Sequence, residues 1–137
     1  MNRLLGIDYG EKRIGVALSD PLQIIASPFK VVANDNKAIS EIKEIIKEYD
    51  VSEIVVGRPI NLKGAETAST IKAREFKEKL EQEISLPIAF WDERLSTKSA
   101  NNALLEGNVS RGKRKQLVDK IAAVFILQSY MDCRKRK

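Results

Sequence analysis

Three consecutive strand-like runs open this chain, and that opening restricts the fold more than any other feature. Residues 4–8 read "LLGID", and residues 13–19 read "RIGVALS", with Ile14, Val16 and Leu18 alternating against Arg13, Gly15 and Ala17. Alternation with period two marks a half-buried strand. Only Tyr9-Gly10-Glu11-Lys12 separates the two runs, so they pair as an antiparallel hairpin. Residues 24–33 form a third β-rich stretch, and Pro28 within it predicts an edge or broken strand. The period then changes. Over residues 34–50, Ile39, Ile42, Ile46 and Tyr49 share one helical face, with Glu and Lys opposite.

From there strands and helices alternate. Residues 53–57, "EIVVG", read as a short buried strand ending in Gly57-Arg58-Pro59, with Lys63-Gly64 in the loop that follows. Residues 67–83 read as a charged helix with Ala73, Phe76 and Leu80 inward. Residues 86–91, "LPIAFW", read as another buried strand, ending at Asp92-Glu93-Arg94. Ser96 suits the N-cap of a helix over 96–105 closed by Gly107. Residues 111–115 read as a basic loop, and 115–131 as a last helix, apolar nearly all round from 121 to 127 and hence buried. A meander followed by helix–strand alternation predicts an α/β fold: a mixed five-stranded sheet with helices on both faces. The 137 residues suit one domain, 1–137, since domains most often run to about 100–150. No internal repeat, low-complexity segment or interdomain linker interrupts the pattern.

Two scarcities narrow the chemistry. The chain has no histidine and a single cysteine, Cys133. That excludes a disulfide framework, cysteine-rich zinc sites, and triads or general bases built on histidine. Any metal must be held by oxygen, which points to Mg²⁺ or Mn²⁺. With 31% charged residues, no run of about 18 apolar residues and no signal-like apolar segment at the start, a soluble, cytoplasmic protein without a membrane partner is expected. The formal net charge of +5 favours an anionic partner, nucleic acid first. Much of the excess lies in Arg111-Gly112-Lys113-Arg114-Lys115 and in the tail Arg134-Lys135-Arg136-Lys137, where a frayed, solvated end is the plainer reading.

Three acids occupy unusual positions. Asp8 ends the first strand, Glu93 follows the last one, and Asp119 lies near the start of the most apolar helix. Each has an ordinary explanation alone: an Asx-turn for Asp8, a pair with Arg94 or plain solvent for Glu93, and the helix dipole for Asp119. Together they fit a different one. Strand ends in a mixed sheet converge on one edge, and three carboxylates crowded there repel each other unless a divalent cation neutralises them. Such an ion lowers the pKa of a water and stabilises charge on a phosphodiester, replacing the missing histidine base. For Gly57-Arg58-Pro59 and Gly64, backbone contact with phosphate competes with ordinary turn punctuation. For the 111–115 run, phosphate contact competes with a solvated loop.

The blocks "GIDYGEKRIGVALSD", "VVGRPINLKG", "DERLST" and "DKIAAVFILQ" resemble, in order, four signatures of the YqgF family. The family is also called RuvX, and its members are known as pre-16S rRNA nucleases and Holliday junction resolvase-like proteins. The likeness implies an RNase H-like fold, and catalytic, metal-binding roles for Asp8, Glu93 and Asp119. It matches Lys12 and Arg13 to a basic pair after the first acid, and Gly57, Pro59, Asn61 and Gly64 to a loop block. One departure is Arg58, which stands where the family usually has leucine.

The function expected from the resemblance is Mg²⁺- or Mn²⁺-dependent maturation of the 5′ end of 16S rRNA, on free precursor or a pre-ribosomal particle. Candidate phosphate contacts are Lys12, Arg13, Arg58, Arg94, Arg111, Lys113 and Arg114. Cleavage of branched junction DNA is the alternative, since fold cannot choose between the two. A symmetric dimer suits junctions, and the sequence leaves monomer or homodimer open. A non-cleaving RNA-binding assembly factor is a third reading. A fourth, ATP phosphotransfer, follows from the likeness of "GIDYG" to the phosphate loop of actin-like sugar kinases, but those need two such lobes.

Overall fold

A computed structural model describes residues 2–60, 63–92 and 111–135, with side chains in the last stretch given from 121 to 134. Five strands form one sheet: β1 (Arg3–Asp8), β2 (Arg13–Ser19), β3 (Ala26–Ala33), β4 (Val51–Arg58) and β5 (Ile88–Asp92). Three helices accompany them: α1 (Ala38–Glu48), α2 (Ala68–Glu83) and α3 (Arg111–Lys135). The sheet order is β3-β2-β1-β4-β5. β1 is antiparallel to β2, β2 to β3, and β1, β4 and β5 run parallel. The expected hairpin is present, and Pro28 lies on an edge strand.

Alternation along the central strands produces three layers. Leu5 and Ile7 of β1, Ile14, Val16 and Leu18 of β2, and Ile54 and Val56 of β4 pack with Ile42 and Ile45 of α1 and Phe76 and Leu80 of α2. Leu4, Ala17 and Val55 point the other way, against Ala123, Ile126, Leu127 and Met131 of α3. Each fully buried Leu or Ile contributes about 2 kcal/mol, whereas an exposed ion pair contributes about 0–1 kcal/mol. The two apolar layers therefore decide the fold. α2 begins at a capping box, in which the Thr67 side chain meets the Thr70 backbone and the Thr70 hydroxyl meets the Thr67 amide.

Four expectations change. Residues 111–115 are not a loop but the first turns of α3. Arg and Lys are strong helix formers, and a polar first turn has no apolar period to reveal it. The same helix runs on past Met131 to Lys135. Arg134 is accordingly not frayed: its guanidinium donates to Glu53 Oε1 at 3.1 Å and lies over the Tyr130 ring. Finally, Ile88 to Trp91 are half-buried rather than buried, as suits an edge strand. The helix expected over 96–105 lies outside the described residues.

Candidate active site at the carboxyl edge of the sheet

Parallel pairing brings the carboxyl ends of β1, β4 and β5 to one edge. Ile7 lies opposite Val56, Gly57 opposite Trp91, and Arg58 opposite Asp92. With strands about 4.8 Å apart, the ends of β1 and β5 stand about 10 Å from each other. Asp8, half-buried, is the last residue of β1. Alternation puts it on the same face as Leu4 and Gly6, the face that α3 covers. Asp92 is exposed at the end of β5. Glu93 and Arg94 follow it in sequence and lie outside the described residues.

The direction of α3 follows from its anchors. At its carboxyl end, Arg134 and the Tyr130 hydroxyl both donate to the Glu53 carboxylate, near the start of β4. Gln128 accepts from the Ala26 amide at 2.8 Å and donates to the Ile24 carbonyl at 2.9 Å, at the start of β3. These contacts fasten the helix to the amino edge of the parallel strands. Ala123 and Leu127 cross β1 at Gly6, where an added Cβ would lie 3.0 Å from the Ala123 carbonyl oxygen and 2.8 Å from Leu127 Cβ. Toward its own N-terminus, then, α3 runs to the carboxyl edge. Asp119 precedes Ala123 by one turn, about 6 Å of rise, and Asp8 follows Gly6 by about 6.6 Å of strand. Only the backbone of Asp119 is described, as is the case for Arg111, Lys113 and Arg114 on the first turns of α3. Among the described residues no group of three acids, histidines or cysteines is close enough to hold a metal; Glu93 and the Asp119 side chain are not in that set.

The turn after Asp8 is held from several sides. The Asn34 side-chain amide donates to the carbonyls of Gly10 and Glu11 at 2.8 and 3.1 Å, and its backbone amide donates to Lys12 O at 3.0 Å. Gly10 is required: a Cβ there would meet the Arg13 carbonyl oxygen at 2.4 Å. Tyr9 stacks at a tilt on Phe76, with ring centroids 4.9 Å apart. The Glu11 carboxylate pairs with Lys72 of α2, which lowers the Glu11 pKa and raises that of Lys72. Tyr9, Gly10, Glu11, Ser69 and Lys72 line a cavity of about 60 Å³. Lys12 is exposed on the turn, and Arg13 opens β2 at the same edge.

The described residues of the loop after β4 are also tied to their surroundings. Arg58 Nη2 donates to Glu66 Oε2 at 2.8 Å, and Arg74 Nη2 of α2 donates to the same oxygen. Ile60 and Glu66 form an isolated antiparallel bridge, Gly64 adopts φ 81°, and the Thr70 hydroxyl donates to Pro59 O. Of the loop block, Gly57, Pro59 and Gly64 are described, and Asn61 is not. The hydrogen bonds from Arg74 and then Arg58 draw the Glu66 pKa from 4.5 down to about 2. A depressed folded-state pKa means that the pair's contribution is fully present above the unfolded value of 4.5 and fades as pH falls toward 2. A carboxyl NMR titration of Glu66 is therefore expected to show a midpoint near 2, and an ordinary midpoint near 4.5 would disprove the pairing.

Asn34, Glu66, Arg74 and Thr70 are the positions that sequence reading missed. The Thr67–Thr70 spacing is a readable cap signal. No local rule links Glu66 to Arg74 eight positions on, or Asn34 to a turn more than 20 residues away.

The sheet order, its pairing directions and the helices on both faces make this an RNase H-like fold of the resolvase type. RuvC from T. thermophilus bound to a Holliday junction substrate superposes with a TM-score of 0.59 at 16% identity, over 98% of this chain and 96% of that one. The Fowlpox virus resolvase in complex with Holliday junction DNA gives 0.56 at 13% identity, over 96% and 98%. The chain belongs to the RuvX (YqgF) family: the family's sequence model, described as "RuvX: Holliday junction resolvase", matches residues 2–133. A relative from Desulfitobacterium hafniense, named "Putative pre-16S rRNA nuclease", is 44% identical over 98% of this chain and 95% of its own length. One of the same name from Clostridium acetobutylicum is 48% identical over 95% and 98%.

Proposed function

We propose that residues 1–137 form one nuclease domain that hydrolyses phosphodiester bonds and matures the 5′ end of pre-16S rRNA in the cytoplasm. The observation that carries the proposal is the meeting of Asp8 with the ends of β4 and β5 on one edge, toward which α3 runs. Relatives of this name, 44–48% identical across nearly their whole length, support the substrate. Among the described residues no helix is long and apolar enough to cross a membrane.

In this reading Asp8, Glu93 and Asp119 are the catalytic acids and would hold Mg²⁺ or Mn²⁺. The donor types fit: all three are hard carboxylates, and Asp8 is half-buried at an edge reachable from solvent. When bound, the ion supplies charge neutralisation at the phosphate and acidifies a water. The protein's cations position the substrate. Lys12, Arg13 and Arg58 stand at the carboxyl edge, and Arg94, Arg111, Lys113 and Arg114 belong to segments that adjoin it in sequence or lead to it along α3. Each would neutralise backbone phosphate without reading sequence.

Incubation with precursor 16S rRNA and, in parallel, with a four-way DNA junction tests the substrate. Cleavage of the RNA in Mn²⁺ or Mg²⁺, loss of activity in EDTA and recovery on adding metal are expected. Activity that survives exhaustive chelation rules out the metal. Junction cleavage is the second reading, favoured by the two resolvase structures seen with junctions; preferential cutting of the junction by a homodimer would establish it. RNA binding with no product in any metal would leave an assembly factor.

A further inference from the structure

We infer that Arg58 and Arg74, joined through Glu66, form a phosphate clamp at the carboxyl edge, with Glu66 as its positioning residue. The inference rests on the nucleic-acid reading above and names the part of the substrate held: a backbone phosphate flanking the scissile one.

Two guanidinium groups converge on a single carboxylate oxygen. Bringing two cations so close costs energy unless an anion lies between them. Glu66 supplies that anion and leaves the cluster with one net positive charge. Its contact occupies one terminal nitrogen of each arginine, out of the five N–H donors that a guanidinium carries. The rest of each fork is chemically suited to phosphate oxygens.

The cluster is also held rigidly. Arg74 rises from α2 and lies over the Phe90 ring of β5, 5.9 Å from its centroid. Arg58 is the last residue of β4, half-exposed and level with Asp92. The loop between the partners is closed by the Ile60–Glu66 bridge and by Thr70 on Pro59 O. A preformed pair of forks spends little side-chain entropy on binding. Stability alone is a weak reason for such a cluster, since exposed ion pairs contribute about 0–1 kcal/mol.

Its place determines which phosphate it meets. Strand alternation puts Val56 and Arg58 toward α1 and α2, and Asp8 toward α3. The clamp and the catalytic acid thus occupy opposite rims of one edge. A nucleic-acid strand crossing that edge reaches both with different phosphates.

The test is binding without cleavage. Affinity of the full-length chain for a short fluorescein-labelled single-stranded RNA and for the precursor 16S fragment is measured by anisotropy in EDTA, across a salt series. Arg58→Leu is expected to weaken both about tenfold and to lower the salt slope by about 1. Arg58→Lys, which keeps the charge but loses the fork, should weaken binding with little change in slope. Glu66→Gln is the decisive variant. It makes the protein more positive, so a plain charge effect predicts tighter binding, whereas a positioning role predicts weaker binding. Glu66→Asp, which retains the anion, should recover part of the loss. Unchanged or tighter binding by Glu66→Gln, or unchanged binding by Arg58→Leu, overturns the clamp while the nuclease reading stands. A parent protein that binds neither RNA nor junction DNA overturns both.

Discussion

Cleavage of precursor 16S rRNA is expected to fall by about a thousandfold when Asp8 is replaced by asparagine, with the fold unchanged. Asparagine keeps the shape of the side chain and removes its charge, so the proposed three-carboxylate ion site would lose one ligand charge. Asp8 lies opposite Gly15 in the β1–β2 ladder through its backbone, which the substitution leaves in place. The melting temperature should therefore move by no more than a few degrees, for a change of about 0.5 kcal/mol or less. Initial rates at saturating Mn²⁺, read beside a circular dichroism melt, separate the two effects. A variant that cuts as fast as the parent removes Asp8 from the metal site.

Gly6→Ala is expected to act through packing and to reach the same edge from below. Its Cβ would meet Leu127 Cβ at 2.8 Å and the Ala123 carbonyl at 3.0 Å. Neither neighbour is the loose end of a side chain, so α3 must lift from β1. Overpacking of this kind costs about 1–3 kcal/mol, the upper end applying where backbone must move. In a chain this size that lowers the melting temperature by roughly 3–5 °C per kcal/mol. Because α3 carries Asp119 and β1 carries Asp8, the shift also separates two proposed metal ligands. Activity should fall more than the loss of folded protein explains, and should recover partly at high Mn²⁺. A Gly6→Ala protein with parental melting temperature and activity contradicts the close approach of α3.

Much of the architecture was legible because its signals are local. The alternation of Ile14, Val16 and Leu18 against small or polar neighbours identified β2, and the four-residue link to β1 left only an antiparallel hairpin. Ala73, Phe76 and Leu80 identified the buried face of α2. Pro28 identified an edge strand. The first turns of α3 were not legible, since Arg111, Lys113 and Arg114 present no apolar period and Gly112 suggests a break. Arg134 read as frayed because its partner, Glu53, lies 81 positions away in the chain. Asp8 and Glu93 were legible as candidates from their places at strand ends in the sequence, and Asp119 from its place in the most apolar helix. Their convergence was an expectation, because strand order and helix direction are set by contacts between residues far apart in the chain.

By itself the sequence determined the order of strand and helix, the faces that seek burial, and that any bound metal would be held by oxygen, because a chain with no histidine and one cysteine offers little else. Residue spacing within a few turns or strand steps suffices for each. Tertiary structure alone decided that β1 lies between β2 and β4, that α3 descends from the carboxyl edge to the amino edge, and that Glu66 joins Arg58 to Arg74. The physical reason is range. Propensity and periodicity act over a handful of residues, whereas strand order and helix direction minimise the apolar surface left to water over the whole chain, and no short stretch contains that sum.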